Sequence, residues 1–212
     1  MKTKKELYGT VLIVLGTFLI MLCLLLVLHN QQEDEESRAF SATQLSVIKQ
    51  TATQRANEAD LDGDSELKAV ETMDEGDTDD KMPIVFIEGY GYIGYVTFPT
   101  LDLEFPIMDE WDNARLKLAP CRYYGSLQTD DLVVAGHNYR SGFGRIKELN
   151  KGDEIYFTDM DGEVYTYRVE EIETLNADEV TKMIASGWDF SLYTCSYDRS
   201  RRLTIRCSKI EL

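Results

Sequence analysis

The sequence predicts a mostly β domain, a closed or nearly closed β-barrel of seven to eight short strands with short helices, behind one N-terminal transmembrane helix. Three observations lead to this prediction. An uncharged apolar run lies near the N-terminus, an acidic segment poor in large apolar side chains follows it, and short apolar segments separated by turn residues fill the rest of the chain. Many short strands with few helices between them are typical of a barrel.

The uncharged run covers residues 10–28, TVLIVLGTFLIMLCLLLVL. As a helix it would be about 28 Å long, which matches a hydrocarbon core of ~30 Å. No small-residue cleavage site follows it, so we interpret it as a retained anchor rather than as a removed signal peptide. Lys2, Lys4 and Lys5 precede the run and acidic residues follow it. The positive-inside rule therefore predicts a single-pass plasma-membrane protein with residues 1–9 in the cytoplasm and the remainder outside.

The next segment, residues 29–82, contains 15 acidic and 5 basic side chains. This composition favours an acidic extracellular stalk that makes few core contacts and holds the folded part away from the membrane. The formal charge of the whole chain is −16. Because nucleic acids select for basic surfaces, this charge argues against nucleic acid as a partner.

One string inside the stalk has the spacing of a calcium-binding EF-hand loop, with acids at loop positions 1, 3, 5 and 12: Asp60, Asp62, Asp64 and Glu71. The glycine expected at position 6 is Ser65. Such spacing arises easily in an acid-rich segment, so we favour a solvated charged stalk over a calcium site.

The folded domain is predicted to cover residues 83–212. Its strands are recognised as short apolar or alternating runs between turn signals, and one hairpin is centred on Asp161-Gly162. The segment 176–185 begins with an N-cap residue and predicts a short helix. The predicted strands are 93–98, 103–108, 131–135, two within 153–169, 190–195 and 202–207.

The search for a nucleophile is narrow, because the chain has four cysteines and two histidines. A cysteine attacks as its thiolate and needs a cationic or proton-accepting neighbour. His137 is the one histidine beyond the membrane boundary, and it follows a predicted strand and a glycine. Cys121, Cys195 and Cys207 lie outside the membrane, so at least one of them is unpaired within the chain. Taken alone, His137 is better interpreted as an ordinary surface histidine.

The C-terminal hairpin can be aligned by counting residues. A symmetric turn between the last two strands places Cys195 opposite Arg202, with Cβ atoms ~5 Å apart. Arg206 shares that face, but it lies roughly 13 Å further along at ~3.3 Å per residue. Cys207 falls on the other face. Arg202 is therefore the favoured partner of the thiol, and Arg206 remains the alternative.

These residues resemble the sortase family, and the resemblance extends over about residues 90 to 210. It is carried by the following stretches: YIGYVTFPTLDLEFPIM (92–108), YYGS (123–126), AGHN (135–138) and LYTC (192–195), with an arginine opening the next strand. Sortases are membrane-anchored cysteine transpeptidases built on an eight-stranded barrel. The resemblance implies that Cys195 is the nucleophile, His137 the general acid and base, and Arg202 the group that stabilises substrate and oxyanion. It also implies that Thr194 lies near the bound sorting motif.

The resemblance further implies the reaction and its partners. Exported proteins bearing a C-terminal sorting motif would be cleaved and transferred to an amine of a cell-wall precursor, without a metal or organic cofactor. The sequence does not assign a subclass, because it lacks the Asp-Pro-aromatic lid motif of pilus-building members and has little room for the class B insertion. The alternative is a membrane-tethered barrel that binds exported proteins without catalysis.

Overall fold

A computed structural model describes residues 4–61, 82–140 and 142–211 of the chain. The helices are α1 (Lys4–Leu61), α2 (Arg115–Leu118) and α3 (Val180–Ile184), and short 3-10 turns occupy Pro99–Leu101 and Phe143–Glu148. The strands are β1 (Val85–Ile87), β2 (Tyr90–Phe98), β3 (Leu103–Met108), β4 (Cys121–Tyr124), β5 (Leu132–Gly136), β6 (Glu154–Asp159), β7 (Val164–Asn176), β8 (Phe190–Cys195) and β9 (Arg201–Lys209).

The strands form one sheet that closes on itself. Its order is β1-β2-β3-β4-β5-β8-β9-β7-β6, and an additional pairing of β2 with β6 joins the ends. Among the described residues, the short β1 pairs only with the beginning of β2 and is not part of the closed ring. The closed barrel therefore has eight strands, which confirms the predicted fold class. Most neighbours are antiparallel, but β3–β4 and β5–β8 are parallel. The parallel β5–β8 pair matters for function, because it brings together the two segments that carry His137 and Cys195.

The barrel interior is filled by apolar side chains that alternate with outward-facing ones along each strand. In β8, Phe190 and Leu192 belong to the core, whereas Tyr193 packs in a separate cluster outside it. Cys207 of β9 also belongs to the core and is fully buried. This confirms that Cys207 lies on the face of the hairpin opposite to that of Cys195.

Helix α1 differs from the expected stalk, because it continues without a break through residue 61 and packs on the barrel. Its contact face contains Ser41, Gln44, Ile48 and Ala52, which recur every three or four residues and are all buried. Close approach is possible where the helix passes Gly162, since a Cβ there would lie 2.7 Å from Ala56.

Polar contacts attach the same helix along its length. Ser41 Oγ donates to the carbonyl of Leu118 at 2.9 Å, and Arg55 pairs with Asp161 at 2.6 Å. The expectation of few core contacts therefore does not describe residues 29–61. The EF-hand-like string lies outside the described residues, apart from the backbone of Asp60.

The N-terminal part of α1 has the properties of a membrane span. Within the described residues it is the one helix long and apolar enough to cross a membrane, and its most apolar window has a mean hydropathy of 3.2 and is 0% buried. The apolar side chains of residues 11–28 are exposed. We therefore describe this part of α1 as a candidate membrane anchor.

Candidate active site

The β8–β9 hairpin brings Cys195 and Arg202 together. The two residues are directly paired in the ladder, as the symmetric-turn alignment predicted. Nη1 of Arg202 donates to Sγ of Cys195 at 3.5 Å. The thiol is half-buried. A cationic donor at this distance can stabilise a thiolate, and it can also reach an oxyanion formed on a carbonyl that the thiol attacks.

The turn between these strands is held by a carboxylate. Asp198 accepts hydrogen bonds from the hydroxyls of Ser196 and Ser200 and from the backbone N–H of Ser200. These bonds favour the ionised form and lower the pKa of Asp198 to about 2. Arg199 completes the turn with a left-handed φ of 59°. The turn thus fixes the register that places Arg202 beside the sulfur.

The parallel β5–β8 pair places His137 at the same end of the barrel as Cys195. The last paired residues are Gly136 and Thr194, and each is followed directly by a residue of the site, Gly136 by His137 and Thr194 by Cys195. Neighbouring strands are ~4.8 Å apart, which brings the imidazole and the thiol to one end of the barrel. Gly136 is required here by space, since a Cβ would lie 2.0 Å from the ring of Phe143.

The imidazole of His137 lies in a partly apolar environment. It stacks on Tyr139 with ring centroids 4.1 Å apart, and its buried Nδ1 has no hydrogen-bond partner among the described residues. Burial lowers the pKa of His137 below its ordinary value of 6.5, while the charge of Glu33 on α1 raises it and that of Lys117 lowers it further. Burial therefore favours the neutral ring over the charged one.

Thr194 adjoins the thiol but faces inward. It is buried on the core side of β8, and its hydroxyl oxygen has no partner among the described residues. It borders a pocket of about 210 Å³ that also includes Cys195, Asn138 and Lys147. The structure thus places Arg202 in contact with Cys195, Thr194 next to it in the same pocket, and His137 at the same end of the neighbouring strand, where it lines the groove under α1.

Arg206, the alternative to Arg202, is committed elsewhere. It is 1% exposed, and it donates to the carboxylate of Glu173 at 2.8 Å and the hydroxyl of Ser191 at 2.9 Å. It also donates to the carbonyls of Lys182 and Met183 in α3. Its guanidinium therefore ties α3 to the barrel and does not reach the sulfur of Cys195.

The other thiols outside the apolar run are buried and unpaired. Burial raises the pKa of Cys121 to about 12, and it raises the pKa of Cys207 still further above the ordinary value. Neither thiol is poised to ionise near neutral pH. Cys195 is the half-buried thiol with a cationic neighbour.

Two features of the site were not predicted from the sequence. A groove of about 450 Å³ runs between α1 and the barrel, and its walls include His137, Tyr139 and six residues of α1 between Asp34 and Leu45. It was missed because the segment after the apolar run was expected to stand clear of the barrel. The second feature is Tyr193, whose ring lies 5.5 Å from the guanidinium carbon of Arg202. The period of two along β8 places it on the face of Cys195 and could have identified it.

Comparison with known proteins gives consistent results. The family model described as the Sortase domain matches residues 96–210. Sortase A from Corynebacterium diphtheriae is 27% identical with a TM-score of 0.50, over 57% of this chain and 61% of that one. The chain thus spans less than two thirds of that protein. The pilus-related sortase C of Group B Streptococcus is 24% identical with a TM-score of 0.51, over 57% of this chain and 68% of that one, and supports the fold. No curated protein matches the chain.

Proposed function

This chain belongs to the sortase family, and on that premise we propose that it is a cysteine transpeptidase. Its substrates are exported proteins with a C-terminal sorting motif, and its acceptor is an amine of a cell-wall precursor. The observation that carries the proposal is the direct pairing of Cys195 with Arg202, whose Nη1 lies 3.5 Å from Sγ. His137, one residue beyond the paired Gly136 and Thr194, supplies the proton-transfer group at the same end of the barrel.

The first step is acylation. The thiolate of Cys195 attacks the carbonyl carbon of a threonine-like residue in the sorting motif, and the carbonyl oxygen becomes an oxyanion. Arg202 donates to this oxyanion from its place beside the sulfur. The C–N bond then breaks, His137 as imidazolium gives its proton to the departing amine, and a thioester joins the substrate to Cys195.

The second step regenerates the thiolate. The acceptor amine attacks the thioester carbonyl, and neutral His137 takes up the proton that this amine loses. Arg202 stabilises the second oxyanion. The C–S bond breaks, a new amide joins substrate and acceptor, and Cys195 leaves as the thiolate. The low pKa of His137 suits this step, since an imidazole must be neutral to accept a proton.

The family resemblance also gives Thr194 a contact with the bound sorting motif. Its hydroxyl lies on the core side of β8 and borders the pocket of about 210 Å³ beside Cys195. We therefore propose that part of the motif enters this pocket. Thr194→Val, which removes the hydroxyl and keeps the shape, should then raise KM for a motif peptide more than it lowers kcat.

We propose that the protein is a single-pass plasma-membrane protein with a cytoplasmic N-terminus and the barrel outside. The apolar stretch of α1 and the lysines before it support this topology. The untreated protein should stay in the membrane fraction after a high-salt wash. Protease added to intact cells should cleave the barrel from its anchor. Protection of the barrel from that protease would contradict the orientation.

The experiment that tests the activity is capture of the acyl-enzyme. The full-length protein in detergent is incubated with a pool of sorting-motif peptides, and intact-protein mass spectrometry looks for an adduct on Cys195 that hydroxylamine removes as a hydroxamate. Cys195→Ala should give no adduct, and Cys207→Ala should give the adduct of the unchanged protein. Peptides that bind equally well to the unchanged protein and to Cys195→Ala, with no adduct in either, would instead support the non-catalytic binding module.

A further inference from the structure

Arg202 makes two contacts that together define the direction of its side chain. Nη1 donates to the sulfur of Cys195, and the guanidinium carbon lies 5.5 Å from the ring centroid of Tyr193. A guanidinium within ~6 Å of an aromatic ring centroid is attracted by the negative face of the ring. Among the described residues no carboxylate forms an ion pair with Arg202. The ring of Tyr193 is therefore the main partner that this charge has besides the thiol.

Tyr193 is itself held in one position. It is 5% exposed and packs in an outer cluster with Leu175 and Met183. Tyr123 meets it edge-on, with centroids 5.3 Å apart and an interplanar angle of 89°. Trp111 in turn lies 5.2 Å from the ring of Tyr123. A ring clamped in this way presents its face in a fixed direction.

The need for such a partner follows from the position of Arg202. It is the second residue of β9, after exposed Arg201 and close to a turn that contains exposed Arg199. A long side chain at a strand end has many rotamers, and without a second contact few of them would reach the sulfur. The guanidinium must be in place before an oxyanion forms if it is to stabilise that charge without reorganisation.

We propose that Tyr193 is a positioning residue of the active site, whose ring face holds the guanidinium of Arg202 in the orientation that reaches Cys195. This inference rests on the proposed function, because the role of Arg202 in oxyanion stabilisation is part of that proposal. Tyr193 acts through Arg202 and not on the reacting atoms. The column formed by Tyr193, Tyr123 and Trp111 is the support that keeps the arginine in place.

The test uses the full-length protein and a sorting-motif peptide, with kcat and KM measured separately. Tyr193→Leu removes the ring face and should lower kcat by about 5- to 30-fold, the range expected for a partly buried cation–π contact, with little change in KM. Tyr193→Phe keeps the ring and should stay within about twofold of the unchanged protein. The matched control is Tyr165→Leu, which removes a similar ring 5.2 Å from Lys209 and should leave kcat unchanged.

A double-mutant cycle separates positioning from general damage. In an Arg202→Ala background, Tyr193→Leu should have no further effect on kcat, because the group that it positions is gone. If the two losses multiply instead, Tyr193 acts on the substrate or on the fold, and the inference is wrong.

A second series keeps the shape of the ring, in case Tyr193→Leu does not fold. Phenylalanines with one, two and three ring fluorines at position 193 weaken the negative face in steps while they preserve packing. We expect kcat to fall with each fluorine, and a constant kcat would overturn the inference.

The two failures can be told apart. Full activity of Arg202→Ala would contradict the proposed function itself. A large loss in Arg202→Ala together with an unaffected fluorine series would contradict only the role of Tyr193.

Discussion

The two ends of the β8–β9 ladder contain the same pair of residue types and use them differently. At the turn end, half-buried Cys195 is opposite Arg202, which donates to its sulfur. At the other end, Cys207 and Arg206 are buried, the thiol in the core and the arginine among Glu173, Ser191 and the carbonyls of α3.

The difference shows that a cysteine beside an arginine can form a reactive site only where the thiol is accessible and the guanidinium still has donors to offer. Burial opposes ionisation of Cys207, and the donors of Arg206 are occupied by Glu173, by Ser191 and by two carbonyls of α3. At the turn end, the solvent-accessible thiol faces a guanidinium that has donors to spare. The predictions below test whether the two ends are as distinct in function as they are in structure.

The largest effect is expected for the two thiols. Cys195→Ala should abolish cleavage and transfer, because it removes the proposed nucleophile and the other thiols outside the apolar run, Cys121 and Cys207, are buried. Cys207→Ala should keep the turnover number and lower the free energy of unfolding by about 1 kcal/mol, a usual value for a point substitution. Turnover of a sorting-motif peptide and a denaturant titration measure the two quantities. Residual transfer by Cys195→Ala would show that the site is elsewhere.

The next effect concerns His137, which follows β5 at the same end of the barrel as the β8–β9 turn. His137→Ala should fold and turn over about 10²- to 10⁴-fold more slowly, because proton transfer to the leaving amine is lost. Its Cys195 should still react with iodoacetamide, since the thiol keeps its exposure and its arginine. Peptide-resolved mass spectrometry distinguishes this alkylation from that of the other cysteines. Turnover close to that of the unchanged protein would exclude His137 as the proton-transfer group.

The two arginines should show opposite patterns. Arg202→Ala should lower kcat by about 10²- to 10³-fold, the scale for one oxyanion donor, with an almost unchanged melting temperature. Arg206→Ala should lose about 2 to 4 kcal/mol of stability, because buried acceptors lose their donor, and should keep most of its kcat per folded molecule. Kinetics and thermal unfolding are measured on both variants under one set of conditions. The reverse pattern would place the site at the other end of the ladder.

The smallest effect is electrostatic. The pKa of His137 should lie below 6.5, because burial disfavours the charged ring. Since the unfolded chain then binds the proton more tightly, the contribution of His137 to stability is complete above pH 6.5 and is lost as the pH falls toward its folded pKa. In a His29→Gln background, an imidazole ¹³C NMR titration reports on His137 alone. A pKa above 6.5 would mean that the carboxylates of α1 outweigh burial.

Much of this comparison follows from the sequence. Counting around a symmetric turn placed Cys195 beside Arg202, and the period of two assigned Cys207 to the core face. The role of Arg206 could not be predicted in this way. Its partners Lys182 and Met183 belong to α3, 24 and 23 residues away, and only tertiary packing brings them together.

Two other parts of the fold could not be predicted, because their local sequence shows no clear pattern. Strand β4 has four residues, too few for a clear alternating pattern. The docked part of α1 was missed because its contact face includes Ser41, Gln44 and Ala52, which resemble the polar and small residues of a solvated segment. Their burial depends on a barrel surface that the sequence pattern does not display.

The unbroken helix α1 has a geometric consequence for the whole protein. With residues 10–28 in the bilayer, Glu33 stands only about 8 Å beyond the end of the span at ~1.5 Å per residue, and its charge already acts on His137. In the proposed topology, the imidazole side of the site would therefore lie near the level of the lipid headgroups, at a height and a rotation about the helix axis that α1 sets. One residue inserted between the span and the docked face would turn the barrel by about 100° about the helix axis, whereas seven would raise it by about 10 Å and restore its heading to within about 20°.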